Sequence, residues 1–289
     1  MDEVVYFNGE LVPTAQARIS PFDYGFLYGY GLFETMRSYS GVIFRLEQHL
    51  ERLHKTAQIL GLDARIATFN LEKACYDILA ANRLDDARIR LMVTAGEGDP
   101  VPNPASCKGI TVFIVAQKLK PIPAESCARG YHTIVSSLRR NSLSPLSGLK
   151  TSCYLGNIMA KQEARAAGAD EALVLNEQVL LAEASNSNVF LVTGGRLLTP
   201  QIDCGALPGV VREAVLEVAA KLGIEAKETV ISGDALYQAE EAFLTSSIIE
   251  LMPLTAVDGK PIGTGKPGPL TLRLAEAYKQ LVSSYKRRV

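Results

Sequence analysis

Hydrophobic and polar residues alternate with a period of two in some parts of the chain and follow the helical period in others. The period-two runs that flank Asn8-Gly9 and Ser40-Gly41 predict two β-hairpins, because these dipeptides favour tight turns. Residues 47–60 repeat their apolar positions every three or four residues and are followed by Gly61, which predicts an amphipathic helix. In this part of the chain the predicted strands are 4–6, 10–12, 31–39, 42–44, 87–94 and 110–116, and a second helix is predicted at 71–81.

Residues 118–124 contain two prolines and predict an extended linker. Beyond it the pattern predicts helices at 152–167, 210–222 and 270–285, and strands at 131–138, 171–175, 179–183, 188–192, 196–199, 241–245 and 252–257. Because strands and helices occur on both sides of the linker, we expect an α+β protein with two α/β domains. The predicted domains are a smaller one at 1–117 and a larger one at 125–289.

Composition narrows the classes of function. The chain has 289 residues, with 30 Lys+Arg against 31 Asp+Glu and no basic run, so a nucleic-acid partner is not expected. Five scattered cysteines without a C-x-x-C pair, and three histidines without a metal-ligand spacing, predict neither a disulfide framework nor a metal site. The start of the chain has no signal-like region and no apolar run could cross a bilayer, so we expect a cytoplasmic protein without membrane contact.

Lys150 is the first candidate for chemistry. It lies where a Ser-, Pro- and Gly-rich loop meets the helix predicted near Thr151, and Leu149, Tyr154 and Leu155 are close in sequence. Apolar surroundings disfavour the ammonium form, lower the pKa of a lysine and make its amine a usable nucleophile. The ordinary alternative is a solvent-facing lysine at a helix start, which is the outcome for most lysines. Tyr154 leaves the same choice open between a site residue and a core aromatic.

Three features could bind an anion. Gly209 opens the predicted helix that begins with Val210 and Val211, so unpaired N–H groups and the positive helix end face outward. Arg45 follows a predicted strand, where a guanidinium can pair bidentately with phosphate. Thr245-Ser246-Ser247 offers hydroxyls and amides at the end of another strand. Each feature has a plain structural alternative, but together they predict a phosphate site without a Walker loop.

A carboxylate stands at the end of the apolar run at 179–182. Burial of Glu183 would be costly unless the carboxylate meets a partner. A protonated pyridine nitrogen is such a partner, and the pair would strengthen a cofactor ring as an electron sink. A partly exposed glutamate at the turn 184–187 is the alternative.

These segments together resemble the class IV aminotransferases, the fold-type IV pyridoxal-phosphate enzymes, in order along nearly the whole chain. The matching segments are 19–29 with Phe33-Glu34-Thr35, Phe44-Arg45-Leu46 with His49 and Arg52, Leu149-Lys150-Thr151 with 154–157, 160–164, 182–190, 207–212 and 243–247. The resemblance implies the fold-type IV architecture with the cofactor between the two domains, a small amino acid or amino-carboxylate as substrate, and a homodimer.

The resemblance also implies a role for each candidate. Lys150 would form the Schiff base with pyridoxal 5'-phosphate and move the proton, Glu183 would hold the pyridine nitrogen, and Tyr154 would approach the phenolic oxygen. The implied phosphate ligands are Arg45, Gly209 with the amides of Val210 and Val211, and Ser246 with Ser247. The residues expected to line the substrate pocket are Tyr28, Phe33 and Arg90.

Three positions bear on the choice of reaction. Branched-chain aminotransferases usually carry Gly where this chain has Thr35, and commonly Tyr where it has Arg88. D-amino acid aminotransferases carry a carboxylate-binding arginine where this chain has Ala95, so that class is disfavoured. Thr35 and the segments 88–91 and 95–96 look more like 4-amino-4-deoxychorismate lyases, whereas the segment around Lys150 looks equally like aminotransferases.

We therefore expect transamination between a branched-chain-like amino acid and a 2-oxo acid. The alternative is a 4-amino-4-deoxychorismate lyase, which eliminates pyruvate and gives 4-aminobenzoate in folate synthesis. A phosphate-binding protein that keeps the fold without catalysis is a third hypothesis.

Overall fold

A computed structural model describes residues 3–286, which form two compact units. The first unit contains residues 3–120, Lys150–Cys153 and residues 285–286. The second unit contains Pro121–Leu149 and Tyr154–Ser284. The chain thus returns to the first unit for only four residues in its middle, and these four include Lys150.

The first unit is built around a six-stranded antiparallel sheet. Its strands are β1 (Val4–Phe7), β2 (Glu10–Pro13), β3 (Gly31–Tyr39), β4 (Val42–Ile43), β5 (Ala87–Thr94) and β6 (Thr111–Lys118). They lie in the order β2-β1-β6-β5-β3-β4. The predicted turn at Asn8-Gly9 is present, and both residues have the positive φ, 48° and 105°, that a tight hairpin turn requires.

Four helices belong to the first unit, α1 (Tyr24–Tyr28), α2 (Leu46–Ile59), α3 (Asp63–Ile66) and α4 (Leu71–Ala81). The core includes Leu32 and Met36 of β3, Leu53 of α2 and Ile78 of α4. Because side chains alternate along a strand, Phe33 and its second neighbours lie on the face of β3 opposite to this core.

The second unit contains a nine-stranded mixed sheet. Its elements are α5 (Ala124–Arg129), β7 (Tyr131–Arg140), α6 (Leu155–Ala166), β8 (Glu171–Asn176), β9 (Leu181–Ala184), β10 (Asn188–Thr193), β11 (Arg196–Pro200), α7 (Val210–Lys221), β12 (Ala226–Thr229), β13 (Glu241–Ser246), β14 (Glu250–Val257), β15 (Lys260–Pro261) and α8 (Pro269–Lys286), whose end lies in the first unit. The strand order is β12-β11-β10-β13-β14-β7-β8-β9, with β15 beside β14. The pairs β11/β12, β14/β7 and β7/β8 are parallel and the others are antiparallel. Helix α6 packs on β7 and β8 through small residues, among them Ala160 and Ala164.

The mixture of helix and strand in each unit confirms the predicted α+β class. Three short helices, α1, α3 and α5, were not predicted, because four to six residues carry too little periodicity to be seen. The division into domains at 118–124 stays a prediction. The ends of that stretch lie in regular structure, since β6 runs to Lys118 and α5 begins at Ala124. None of the helices within residues 3–286 is long and apolar enough to cross a bilayer.

Candidate active site

Lys150 is held by the main chain of β3 and not by a helix. Its carbonyl oxygen accepts a hydrogen bond from the Phe33 N–H at 3.0 Å, and the Ser152 N–H donates to the Gly31 carbonyl at 2.8 Å. Thr151 forms an antiparallel bridge with β3. The predicted helix over 152–167 is therefore wrong at its start: α6 begins at Leu155, because the preceding residues pair with a strand.

The apolar contact of Lys150 comes from Phe33. The Lys150 Nζ lies 4.7 Å from the centroid of the Phe33 ring, and Phe33 is only 2% exposed. The sequence neighbour Leu155, which was expected to provide apolar surroundings, is 70% exposed instead. Lys150 itself is half-buried within the chain.

Arg90 occupies the same ring. Its Cζ lies 3.5 Å from the Phe33 centroid, and its Nη1 donates to the Thr35 Oγ1 at 3.1 Å. Strand β5 places Arg90 directly opposite Thr35 on β3. An amine and a guanidinium beside one aromatic ring concentrate positive charge, which suits a ligand that carries a carboxylate or a phosphate.

Arg45 is a buried cation in an unusual backbone conformation. It is 4% exposed, has φ 53° in the left-handed region, and directly precedes α2 as its N-cap residue. That conformation costs a non-glycine residue roughly 1–2 kcal/mol. The His49 N–H donates to the Arg45 carbonyl at 3.1 Å, which ties the residue to the helix. Strain of this kind at a buried arginine is typical of a binding site.

A buried ionic cluster of Glu34, His49 and Arg52 joins β3 to α2. Arg52 donates from Nε to Oε1 of Glu34 at 2.8 Å and from Nη2 to Oε2 at 2.6 Å, and the His49 Nδ1 lies 2.7 Å from Oε2. Burial alone would raise the pKa of Glu34, but Arg52 and His49 hold it well below its usual range. Burial lowers the pKa of His49, so His49 is a neutral donor at pH 7. The resemblance includes these residues but gives them no role.

Glu183 is the corresponding buried carboxylate of the second unit. It lies in β9, is 7% exposed, and its Oε1 accepts a hydrogen bond from the Arg140 Nη2 at 2.7 Å. Its Oε2 accepts from the Leu207 N–H at 2.9 Å and from the Asn188 Nδ2 at 3.4 Å. A cation and two amide donors favour the ionised carboxylate. The alternative of a partly exposed glutamate at a turn is therefore wrong.

The turn at Gly209 has the geometry expected of an anion site. Gly209 is the N-cap residue of α7, no side chain caps this helix, and the first-turn amides include those of Val210 and Val211. A Cβ at Gly209 would lie 2.0 Å from the Asn188 Oδ1, so a side chain does not fit there. The Asn188 Nδ2 also donates to the Leu207 carbonyl at 2.8 Å, which joins this turn to Glu183.

Tyr154 and the serines are placed less directly. Tyr154 is the N-cap residue of α6, and its hydroxyl lies 3.2 Å from the Ser185 carbonyl and 3.0 Å from the Asn186 Oδ1. Ser246 ends β13, and its Oγ accepts from the N–H groups that follow Ser247, at 3.3–3.4 Å. The Ser246 hydroxyl therefore closes a turn, and Ser247 lies within that turn.

Tyr28 has a different environment from Phe33 and Arg90. It is 41% exposed, its hydroxyl donates to the Pro100 carbonyl at 2.7 Å, and its ring packs edge-on against Tyr24 at 4.8 Å. The structure thus brings Phe33, Arg90 and Lys150 together, while it ties Tyr28 to the loop before β6.

Sequence reasoning missed three groups around Glu183. They are the Arg140 guanidinium, the Asn188 amide and the Leu207 N–H. Asn188 lies within a segment that resembles the family, so its position carried a signal, whereas Arg140 follows no motif that was recognised. No group of three or more His, Cys, Asp or Glu side chains in the described part of the chain is arranged to hold a metal ion.

The chain matches known proteins along most of its length. The sequence model of the family described as Amino-transferase class IV matches residues 31–257. A putative branched-chain-amino-acid aminotransferase of Methanocaldococcus jannaschii is 35% identical over 278 residues, which cover 96% of each chain. An aminodeoxychorismate lyase of Bacillus subtilis is 34% identical over 283 residues, which cover 97% of this chain and 95% of the other.

A solved structure shares the fold. The branched-chain amino acid aminotransferase of Escherichia coli has a TM-score of 0.90 and 32% identity, and the match covers 98% of this chain and 95% of the other. These matches show a class IV aminotransferase fold. The protein belongs to the class IV aminotransferase family, and the predicted family, enzyme class and fold-type IV architecture are confirmed.

Proposed function

We propose that the protein is a pyridoxal-phosphate-dependent aminotransferase that moves an amino group between a branched-chain-like amino acid and a 2-oxo acid. The observation that supports this most is the placement of Lys150. Its main chain is fastened to β3, and its amine lies against the buried Phe33 ring. A lysine that is held rigidly beside an apolar surface is suited to act as a nucleophile and as a base.

The residues present fit pyridoxal 5'-phosphate. In the second unit, the turn at Gly209 has no room for a Cβ and opens a helix without a side-chain cap, which suits a phosphate. Arg45, a buried cation, supplies a guanidinium for the same group. The buried carboxylate of Glu183 suits a protonated ring nitrogen, and Tyr154 suits the phenolic oxygen. When bound, this cofactor is an electron sink that stabilises negative charge on the carbon that carries the substrate amino group.

Each residue then has a defined task. The Lys150 Nζ, as a neutral amine, takes the proton from that substrate carbon and later returns it. Glu183 stays ionised because Arg140 and the Leu207 N–H bind its two oxygens, and it keeps a proton on the ring nitrogen. The amides of Val210 and Val211, with Ser246 and Ser247, hold the phosphate end.

The substrate is bound on the face of β3 and β5. The Arg90 guanidinium, aligned by the Thr35 hydroxyl and the Phe33 ring, binds a substrate carboxylate. The Phe33 ring packs against the substrate side chain, and Tyr28 contributes from the edge of the unit.

A specific observation keeps the lyase as a second candidate. Thr35 and Arg88 stand where branched-chain aminotransferases usually carry Gly and commonly Tyr, and a lyase relative is about as similar to the chain as the aminotransferase relative. The lyase reaction needs the same Lys150 proton transfer but no 2-oxo acid.

The predicted homodimer and cytoplasmic location remain proposals. Phe22 and Phe26 expose large apolar side chains beside Tyr28, and such a surface supports contact with a second copy of the chain. Sedimentation equilibrium of the purified protein tests this, and a monomer at micromolar concentration would contradict it.

The activity is tested by a substrate panel. The protein with added cofactor is mixed with L-leucine, L-valine, L-isoleucine or D-alanine and 2-oxoglutarate, and in parallel with 4-amino-4-deoxychorismate alone. Glutamate formation from the branched-chain donors is expected. Pyruvate and 4-aminobenzoate without any transamination would replace the first proposal by the second. A protein that binds the cofactor but gives neither product would be a binding protein without catalysis.

A further inference from the structure

The Glu34, His49 and Arg52 cluster has no part in the activity proposed above, and this inference rests on that activity only through the phosphate role of Arg45. All three side chains connect the same two elements, since Glu34 lies on β3 and the other two lie on the inner side of α2. Glu34 is fully buried, and both of its oxygens are bound.

An ionic cluster is not needed to pack these elements. Helix α2 already contributes Leu46, Leu53 and Ala57 to the apolar core that also contains Leu32 and Met36 of β3. Well-packed apolar residues often replace a buried ion pair without loss of stability. What the cluster adds is directional: a bidentate guanidinium and a ring nitrogen fix the rotation and the height of the helix against the strand.

The first turn of α2 carries Arg45. The carbonyl of Arg45 accepts from the His49 N–H, and the His49 ring is bound by Glu34. On its other side, the Phe44 N–H donates to the Arg37 carbonyl of β3 at 3.1 Å. Arg45 is therefore held from both sides by groups anchored on β3.

This anchoring explains the strained conformation of Arg45. A left-handed backbone at an arginine costs roughly 1–2 kcal/mol and persists only where the surroundings impose it. If the first turn of α2 could shift, the backbone of Arg45 would relax to an ordinary conformation and its guanidinium would move away.

We propose that Glu34 is a positioning residue that acts through Arg45: with His49 and Arg52 it holds the start of α2 so that the Arg45 guanidinium is aimed at the phosphate of the cofactor. Glu34 touches neither cofactor nor substrate in this role. Its removal impairs recognition of the phosphate and leaves the rest of the cofactor site unchanged.

The test compares a ligand that has the phosphate with one that lacks it. Apo-protein is titrated with pyridoxal 5'-phosphate and, separately, with pyridoxal, by equilibrium dialysis with detection of the ligand absorbance, which no tryptophan of this chain disturbs. The ratio of the two affinities reports on the phosphate contact alone. A general loss of structure lowers both affinities and leaves their ratio unchanged.

For Glu34→Gln we expect the affinity for pyridoxal 5'-phosphate to fall by about 10–100-fold, as for other residues that orient a ligand-binding group. The affinity for pyridoxal should change by less than about threefold. Arg45→Ala should give the same pattern, and the double variant should lose little more than either single variant, because both changes remove one contact. Glu51→Gln, on the exposed side of α2, is the matched control and should change neither affinity.

Arg52→Lys keeps the charge but removes the bidentate contact, and it replaces Glu34→Gln if that variant does not fold. Equal losses for both ligands, no loss at all, or additive effects of Glu34→Gln and Arg45→Ala would each overturn the role of Glu34. Failure of the unaltered protein to bind pyridoxal 5'-phosphate would instead overturn the proposed function and, with it, this role.

Discussion

The surroundings of Lys150 and of Glu183 hold their groups in opposite ways. Lys150 is fastened by its backbone to β3, and its side chain makes a contact with one ring while it stays half-buried. Glu183 is fastened by its side chain, with both carboxylate oxygens bound by Arg140, Asn188 and the Leu207 N–H, and it is almost fully buried.

The difference follows from what each group has to do. A base that accepts and returns a proton needs a mobile side chain on a rigid backbone, which strand pairing provides. A carboxylate that only has to stay charged needs fixed donors around it, which also repay the free energy of its burial. The Lys150 surroundings should therefore be sensitive to loss of chemistry, and the Glu183 surroundings to changes in packing and charge.

The largest effect is expected for Lys150→Ala. The variant should lose at least about 10³-fold in kcat, because the nucleophile and base are removed together. Its Tm should change little, since no core contact is lost. Exposed Lys55→Ala should keep full activity. Steady-state kinetics measures both, and unimpaired turnover of Lys150→Ala would remove this residue from the mechanism.

Glu183→Gln should have the next largest effect. The glutamine keeps the shape but loses the charge that faces the ring nitrogen, so we expect kcat to fall by about 10²-fold. The Arg140 guanidinium loses its counter-charge in the same step, and Tm should fall as well. Glu225→Gln removes an exposed ion pair of the same unit and serves as the control. A variant as active as the parent would show that this carboxylate does not serve the ring.

Gly209→Ala tests the phosphate turn through packing. A Cβ there would lie 2.0 Å from the Asn188 Oδ1, so the turn has to shift, with an expected loss of about 1–3 kcal/mol in the free energy of unfolding. Binding of pyridoxal 5'-phosphate should weaken further than stability alone requires. Gly156→Ala in α6 meets nothing within 4 Å and is the control. Urea unfolding with and without cofactor measures both terms, and equal behaviour of the two variants would contradict the close packing.

The smallest effect concerns pH and the first unit. The pKa of His49 is lowered by burial from 6.5, so the unfolded chain binds a proton that the folded chain does not. This contribution is present above pH 6.5 and is lost as the pH falls, by up to about 2 kcal/mol at pH 5. His49→Gln should flatten the decline of stability between pH 7 and pH 5, whereas His54→Gln on the same helix should leave it as it is. Denaturant unfolding at three pH values measures the slopes, and identical slopes for both variants would contradict a neutral, buried His49.

Much of the fold was visible in the sequence because its signals are local. The strands at 31–39 and 87–94 and the helix at 71–81 have the predicted bounds, since each combines a clear period with turn residues at its ends. The start of α6 was missed because its preceding residues pair with β3, more than one hundred positions away in the chain. No local pattern records such a pairing.

The candidate site divides in the same way. The turn at Gly209 was recognisable, because a glycine before a helix has a local meaning. The surroundings of Lys150 were not, since the ring that covers its amine belongs to Phe33 on another strand. The partners of Glu183 were missed for the same reason: Arg140 reaches it from β7 across β8.

The central claim is that the Lys150 amine is the point at which the cofactor attaches to the chain. The direct test is to add pyridoxal 5'-phosphate to the protein, reduce with borohydride, digest, and map the mass increase by tandem mass spectrometry. The account predicts the added mass on the peptide that contains Lys150 and nowhere else in stoichiometric amount. Modification of a different lysine, with Lys150 recovered unmodified, would contradict it.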